Sequence, residues 1–131
     1  MTAVFNDSGK AIATNLITGL GGTIPKYIGW GTGAGAVAAG NTTLSTERTV
    51  DLTASGGTDH TTGTPTRTTT TVSSDTVTIT GTRTATGAGT VTNAGVFDAV
   101  NGGNLWGSVD GLSQLLAIGD AITFTFNTKF A

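Results

Sequence analysis

Few of the 131 residues have side chains and spacings that could do chemistry. Gly31-Thr-Gly33-Ala-Gly-Ala36 matches the Gly-x-Gly-x-x-Ala turn that cradles a dinucleotide pyrophosphate, in which glycines admit the phosphates and the next helix offers its N-terminal amides. The residues that follow lack that helix, so no βαβ unit is expected and the segment reads as a flexible loop. Asp59-His60 contains the only histidine, and with many Ser and Thr available it could seed a hydrolytic dyad. The nucleophile-elbow pattern is missing, so His60 reads as a loop histidine. Asp98, Asn101 and Asn104 are oxygen-bearing residues three apart, as a cation site needs. The EF-hand pattern is absent, however, and each has a local reason to be there, since Asp and Asn bond nearby backbone and Asn tolerates positive φ.

Arg48, Arg67 and Arg83 stand singly among strand-forming residues. An arginine so placed covers apolar surface with its stem and pairs with one carboxylate; pairing to an aspartate of a neighbouring subunit is the sharper alternative. No catalytic, cofactor-binding or metal-ligating residue is assigned, and neither an enzyme activity nor a cofactor is expected.

Composition narrows the class of protein. Charged residues are only 11% of the chain, against about a quarter in ordinary domains, while Gly contributes 21 residues and Thr 30. Thr is β-branched and suits a pleated surface, and strong helix formers are scarce, so summed propensity favours sheet. A net charge of −2 with scattered Lys and Arg builds no basic stripe, so direct nucleic-acid contact is not expected. Cysteine is absent, which leaves packing and association to supply stability. No 18-residue apolar stretch and no leader-like N-terminus occur, so the expectation is a soluble, unexported chain without membrane contact.

The elements follow from the periodicities. Asn6-Asp7-Ser8 offers N-cap oxygens, and Ile12, Leu16 and Leu20 recur every four residues before Gly21-Gly22, which predicts one short helix. Thr23 to Trp30 reads as a strand near an edge, because Pro25 lacks a ladder donor. Gly31–Thr43 and Ala54–Gly63 read as loops around a strand at Leu44–Leu52; with so little apolar side chain, both are expected to be disordered in a free subunit and to order against a partner. Thr64–Val72 and Thr76–Thr86 are Thr-laden strands. The first is edge-like or buried in a partner, with the unpaired edge of Thr66–Thr71 expected to be the template on which a second copy associates, and the second has Val77 and Ile79 facing opposite to Thr76, Thr78, Thr80 and Thr82. Thr90–Leu105 is a hairpin that folds back at Asn101-Gly102-Gly103, with a return strand over Asn104–Val109 and a further turn at Asp110-Gly111. The last strand places Ile122, Phe124 and Phe126 inward and Thr123 and Thr125 outward, ends at Asn127, and shares one core with Phe97. One domain over residues 1–131 is expected, an all-β antiparallel sandwich or jelly-roll-like barrel with one short N-terminal helix.

The hairpin also carries a likeness. Gly95-Val-Phe-Asp-Ala99, Gly102-Gly-Asn-Leu105 and Ile118-Gly-Asp-Ala-Ile-Thr-Phe-Thr-Phe126 resemble the closing third of small virion structural proteins of tailed bacteriophages. The resemblance covers roughly residues 90–127, with a looser echo in Tyr27-Ile-Gly-Trp-Gly-Thr-Gly33 and Thr46-Glu-Arg48. It implies a capsid decoration (cement) protein of the virion, assembled in the host cytoplasm. Such a protein binds the major capsid protein on the outer shell and stabilises it through subunit contacts. A homo-oligomer is implied, a trimer being favoured by shell symmetry. A tail, baseplate or fibre component is the alternative within the same field. A carbohydrate-binding β-sandwich is the alternative outside it, and it fits less well because most aromatic residues sit at core-like positions. Low charge, Thr-covered strands and Gly loops suit a structural role independently.

Overall fold

The computed structural model describes residues 1–47 and 59–130. The first element after a short strand, β1 (Ala3–Phe5), is the only helix among the described residues, α1 (Asp7–Thr18). Asn6 stands at its N-cap with extended dihedrals, and Gly19 ends it at φ +70°, a conformation that costs glycine no Cβ clash. The helix thus stops two residues earlier than Gly21-Gly22 implies. Of the i, i+4 series only Ile12 is buried; Leu16 is partly exposed and Leu20 lies in solvent. The helix packs close to the sheet because residue 9 is glycine: a methyl there would overlap the Trp106 carbonyl.

The strands after α1 are β2 (Tyr27–Gly31), β3 (Thr61–Thr62), β4 (Thr64–Thr68), β5 (Thr76–Thr84) and β6 (Gly89–Val91). They are followed by β7 (Asn93–Phe97), β8 (Leu105–Val109), β9 (Gln114–Leu116) and β10 (Ala121–Lys129). All pairings are antiparallel. The larger sheet runs β1-β8-β7-β2-β3, the second β10-β5-β4, and β6 pairs with β9 alone. The main core fills the space between the first two sheets. Ile28, Trp30, Ala94 and Val96 face Ile79 and Phe124 across it, with Val91, Leu116, Trp106 and Ile12 in the same cluster. Gly63 and Gly81 permit the close approach, since a Cβ on Gly81 would lie 2.8 Å from Ile28 Cδ1. The protein is therefore an all-β sandwich with one N-terminal helix, its two main sheets open at their edges rather than closed into a barrel.

Several expectations change. β2 begins at Tyr27, not Thr23, and lies between β7 and β3 instead of at an edge; Pro25 is buried just before the strand, where no ladder bond is asked of it. Phe97 does not share the core of Phe124 and Phe126. Val96 and Phe97 are neighbours on one strand and point to opposite faces, so Phe97 joins Leu44, Leu105 and Tyr27 in a second cluster behind the larger sheet. The segment Gly31–Thr43 is held by the chain itself. Asn6 Nδ2 donates to the Ala38 (3.1 Å) and Asn41 (3.2 Å) carbonyls, and the Val37 amide donates to Asp110 Oδ2 (2.9 Å). A partner is not required to satisfy these backbone groups. Of the strand expected at Leu44–Leu52, Leu44–Glu47 contributes only a single bridge, Glu47 to Gly31. The rest of it, and Ala54–Thr58 of the second loop, lie outside the described residues.

The hairpin folds back where expected. Phe97 pairs with Leu105 across a bulge, Asn101 to Gly103 form the tip, and Gly102 and Gly103 take φ of +62° and +85°. β4 is an exposed edge strand, as its lack of apolar alternation implies, but ends at Thr68. β5 departs from simple alternation, since Thr76 and Thr78 are buried. Their hydroxyls are satisfied there: Thr78 donates to Asn127 Oδ1 (2.8 Å) and Thr76 to Asp75 Oδ1 (3.0 Å). β10 has Ile122, Phe124 and Phe126 inward and Thr123 and Thr125 outward, and it continues past Asn127 to Lys129.

Candidate functional site

Two places in the molecule gather groups that could act: a buried polar cluster behind the larger sheet, and a groove along the outer edge of the last strand, β10. The buried cluster centres on His60, which immediately precedes β3 and is only 1% exposed. Its ring stacks on Phe97 at 4.0 Å between centroids and 11° between planes. Nδ1 lies 2.8 Å from the Ala99 carbonyl and Nε2 lies 2.6 Å from Glu47 Oε1. A carbonyl only accepts, so Nδ1 is the donor to Ala99, and the second ring nitrogen is held by the Glu47 carboxyl. Gly29 makes room for this stack: a Cβ there would lie 2.8 Å from His60 Cδ2 and 3.0 Å from the Phe97 ring. His60 is thus a core residue rather than a loop histidine.

Arg83, fully buried on β5, completes the polar interior. Its guanidinium donates to the Ile28 carbonyl at 2.7 Å and lies 5.1 Å from the Trp30 ring centroid. Burial pushes it down to about 10, against the pull of Glu47 and Asp59, so it remains charged at neutral pH. Arg67 is exposed on the edge strand β4, and Arg48 lies outside the described residues. The sharper alternative for Arg83, pairing to another subunit, is contradicted by its burial within one chain.

The residues considered for other chemistry serve local structure. The Gly33 amide donates to the Ser45 carbonyl and the Gly35 amide to Ser45 Oγ, so two amides of the would-be phosphate cradle are already in use. Asp98 Oδ1 accepts from the Asn104 amide (2.7 Å), and Asn101 Oδ1 accepts from the Asp59 amide (2.9 Å). Asp59 Oδ2 in turn accepts from the Gly102 amide (3.1 Å), which ties the segment before β3 to the hairpin tip. Among the described residues no three His, Asp or Glu side chains converge as a metal site would require.

The groove has the shape of an interaction surface, and no motif in the sequence announces it. It encloses about 660 Å³ between β1 and β8 of the larger sheet and β10 of the second. Phe5, Trp106, Leu112, Ile122, Phe124 and Phe126 give it an apolar lining. Every residue of β10 from Ile122 to Lys129 borders it, because β10 ends its sheet and turns an edge toward the opening. The Phe130 amide donates to Asp75 O (2.9 Å) and the Ala85 amide to Asp120 O (2.7 Å), so even-numbered positions direct their backbone groups to β5. By the alternation of an antiparallel ladder, Ala121, Thr123, Thr125, Asn127 and Lys129 direct theirs to the open edge. No backbone or side-chain partner for those groups occurs among the described residues.

No protein-family model, no curated protein and no solved structure matches this chain. No helix among the described residues is long and apolar enough to cross a membrane.

Proposed function

We propose that this chain is a structural subunit of a tailed-phage particle. In this reading it is a capsid decoration (cement) protein that binds the shell built by the major capsid protein and stabilises it through subunit contacts. The resemblance of residues 90–127 supplies the particle. The observation that carries the structural role is the open nine-residue edge of β10 beside an apolar groove, because an unsatisfied strand edge recognises another polypeptide and not a small polar substrate. Exposed Ile17, Leu20 and Leu115 add apolar contact area elsewhere on the surface. The carbohydrate-binding alternative loses support, since both tryptophans, Trp30 and Trp106, are committed to the core and offer no exposed platform for a sugar ring.

The test is immunogold labelling of virions that carry the protein, viewed by negative-stain microscopy. Label over the whole head is the expected result. Label confined to the tail would move the protein to the tail or baseplate, and particles without label would overturn the proposal.

A further inference from the structure

We propose that the groove along β10 is filled by β10 of a second copy of this chain, the two strands pairing antiparallel about a two-fold axis at Thr125. Three observations carry this. Among the described residues β10 has an unpaired edge nine residues long, and full overlap of Ala121–Lys129 with itself places Thr125 opposite Thr125. In that register Thr123 meets Asn127 and Ala121 meets Lys129. These odd positions direct their N–H and C=O groups outward, so each opposed pair exchanges two backbone hydrogen bonds. The same register sets Phe124 against Phe126 of the other copy, on the face that lines the groove, so apolar surface from each copy covers the groove of the other.

The other open edge of this sheet is less suited. β4 has five residues, among them Pro65, which lacks a ladder donor, and Arg67, a charge of the kind that protects edges. β10 carries no proline and, within the strand, only the terminal Lys129. A two-fold strand pair is an isologous contact and closes on itself, so it yields a dimer and not the three-fold oligomer expected from shell symmetry. The inference rests on the reading that the chain acts through subunit contacts. It does not depend on where in a particle those contacts are made, so it is tested on purified protein while virion labelling tests the function.

The chain has no cysteine, so one introduced thiol reports one position. Opposed residues of a hydrogen-bonded antiparallel pair have Cα atoms about 5.5 Å apart, a separation a disulfide spans. Under mild oxidation Thr125→Cys is expected to run mostly as a covalent dimer, and Thr66→Cys on β4 to stay mostly monomeric. Sedimentation of the unmodified protein at tens of micromolar is expected to give a dimer. Thr125→Lys, which sets two ammonium groups against each other on the axis, is expected to shift it to monomer with an unchanged circular dichroism spectrum. A monomeric or trimeric parent protein overturns the proposal. So does a dimer in which Thr66→Cys cross-links as well as Thr125→Cys, or one that survives Thr125→Lys.

Discussion

Phe124→Ala tests how the sandwich is held together and where its core divides. Phe124 is 8% exposed, meets Trp30 edge-on at 6.3 Å and 74°, and stacks on Phe126 at 5.8 Å and 21°. Truncating a buried phenylalanine costs about 3–5 kcal/mol, the upper end belonging to sites that leave a closed void. Here one wall of the vacated space is the groove, which admits water, so we expect the lower end, about 3 kcal/mol. The milder Phe→Leu changes then locate the boundary between the two clusters through double-mutant cycles. Phe124→Leu with Phe126→Leu removes a stacked pair and is expected to deviate from additivity by about 0.5–1.5 kcal/mol. Phe124→Leu with Phe97→Leu touches opposite faces of the larger sheet and is expected to be additive within about 0.5 kcal/mol. Urea unfolding with a common m-value measures all of these. A coupling above about 1 kcal/mol between positions 97 and 124 would refute the division into two clusters. A Phe124→Ala cost below about 1 kcal/mol, the size of an ordinary surface substitution, would refute the inward placement of β10.

Three other changes have defined signs. Gly9→Ala gains about 1 kcal/mol of helix propensity, yet its methyl would overlap the Trp106 carbonyl and lie 2.7 Å from a Phe5 ring carbon. Because overpacking costs about 1–3 kcal/mol, net destabilisation in urea is expected, and a more stable variant would show that α1 is not seated on β8. Arg83→Met keeps the stem but removes the guanidinium's bond to the Ile28 carbonyl and the cation from Trp30, for an expected loss of about 2–4 kcal/mol by thermal or urea unfolding; a neutral result would contradict a buried, bonded guanidinium. Asp75 is held well below the usual carboxylate range chiefly by the Val72 amide, with those of Thr70 and Thr71, and Asp110 is held below it by the amides of Val37 and Thr2. Both pKa values are depressed in the folded state, so the stability these groups contribute is present above the unfolded value near pH 4. It is lost as pH falls through the folded values. Unfolding midpoints measured from pH 6 to pH 2 are expected to fall steeply in the parent protein and less steeply in Asp75→Asn with Asp110→Asn; parallel curves would reject the assignment.

The fold class, the hairpin about Asn101-Gly102-Gly103 and the facing of the last strand are legible in the residues alone. These are local properties: Ile122, Phe124 and Phe126 alternate with Thr on a period of two, and glycines supply positive φ at the tip whatever packs around them. Which polar residues go inside depends instead on contacts between segments distant in the chain. Asn6 has the look of a helix cap, but its side chain makes no cap bond. It is drawn into the interior to hold residues 38–41 and to accept from Ser108 Oγ (3.0 Å), because those partners arrive from 32 to 102 residues away. His60 and Arg83 read as a loop and a strand residue, yet both are buried, since Glu47, Ala99 and Ile28 bring oxygens to them that no nearby stretch of chain contains. The open edge of β10 was hidden for the same reason. Alternation along a strand tells which face is covered, but an edge is free only if no other segment reaches it, and that depends on the order in which distant strands assemble.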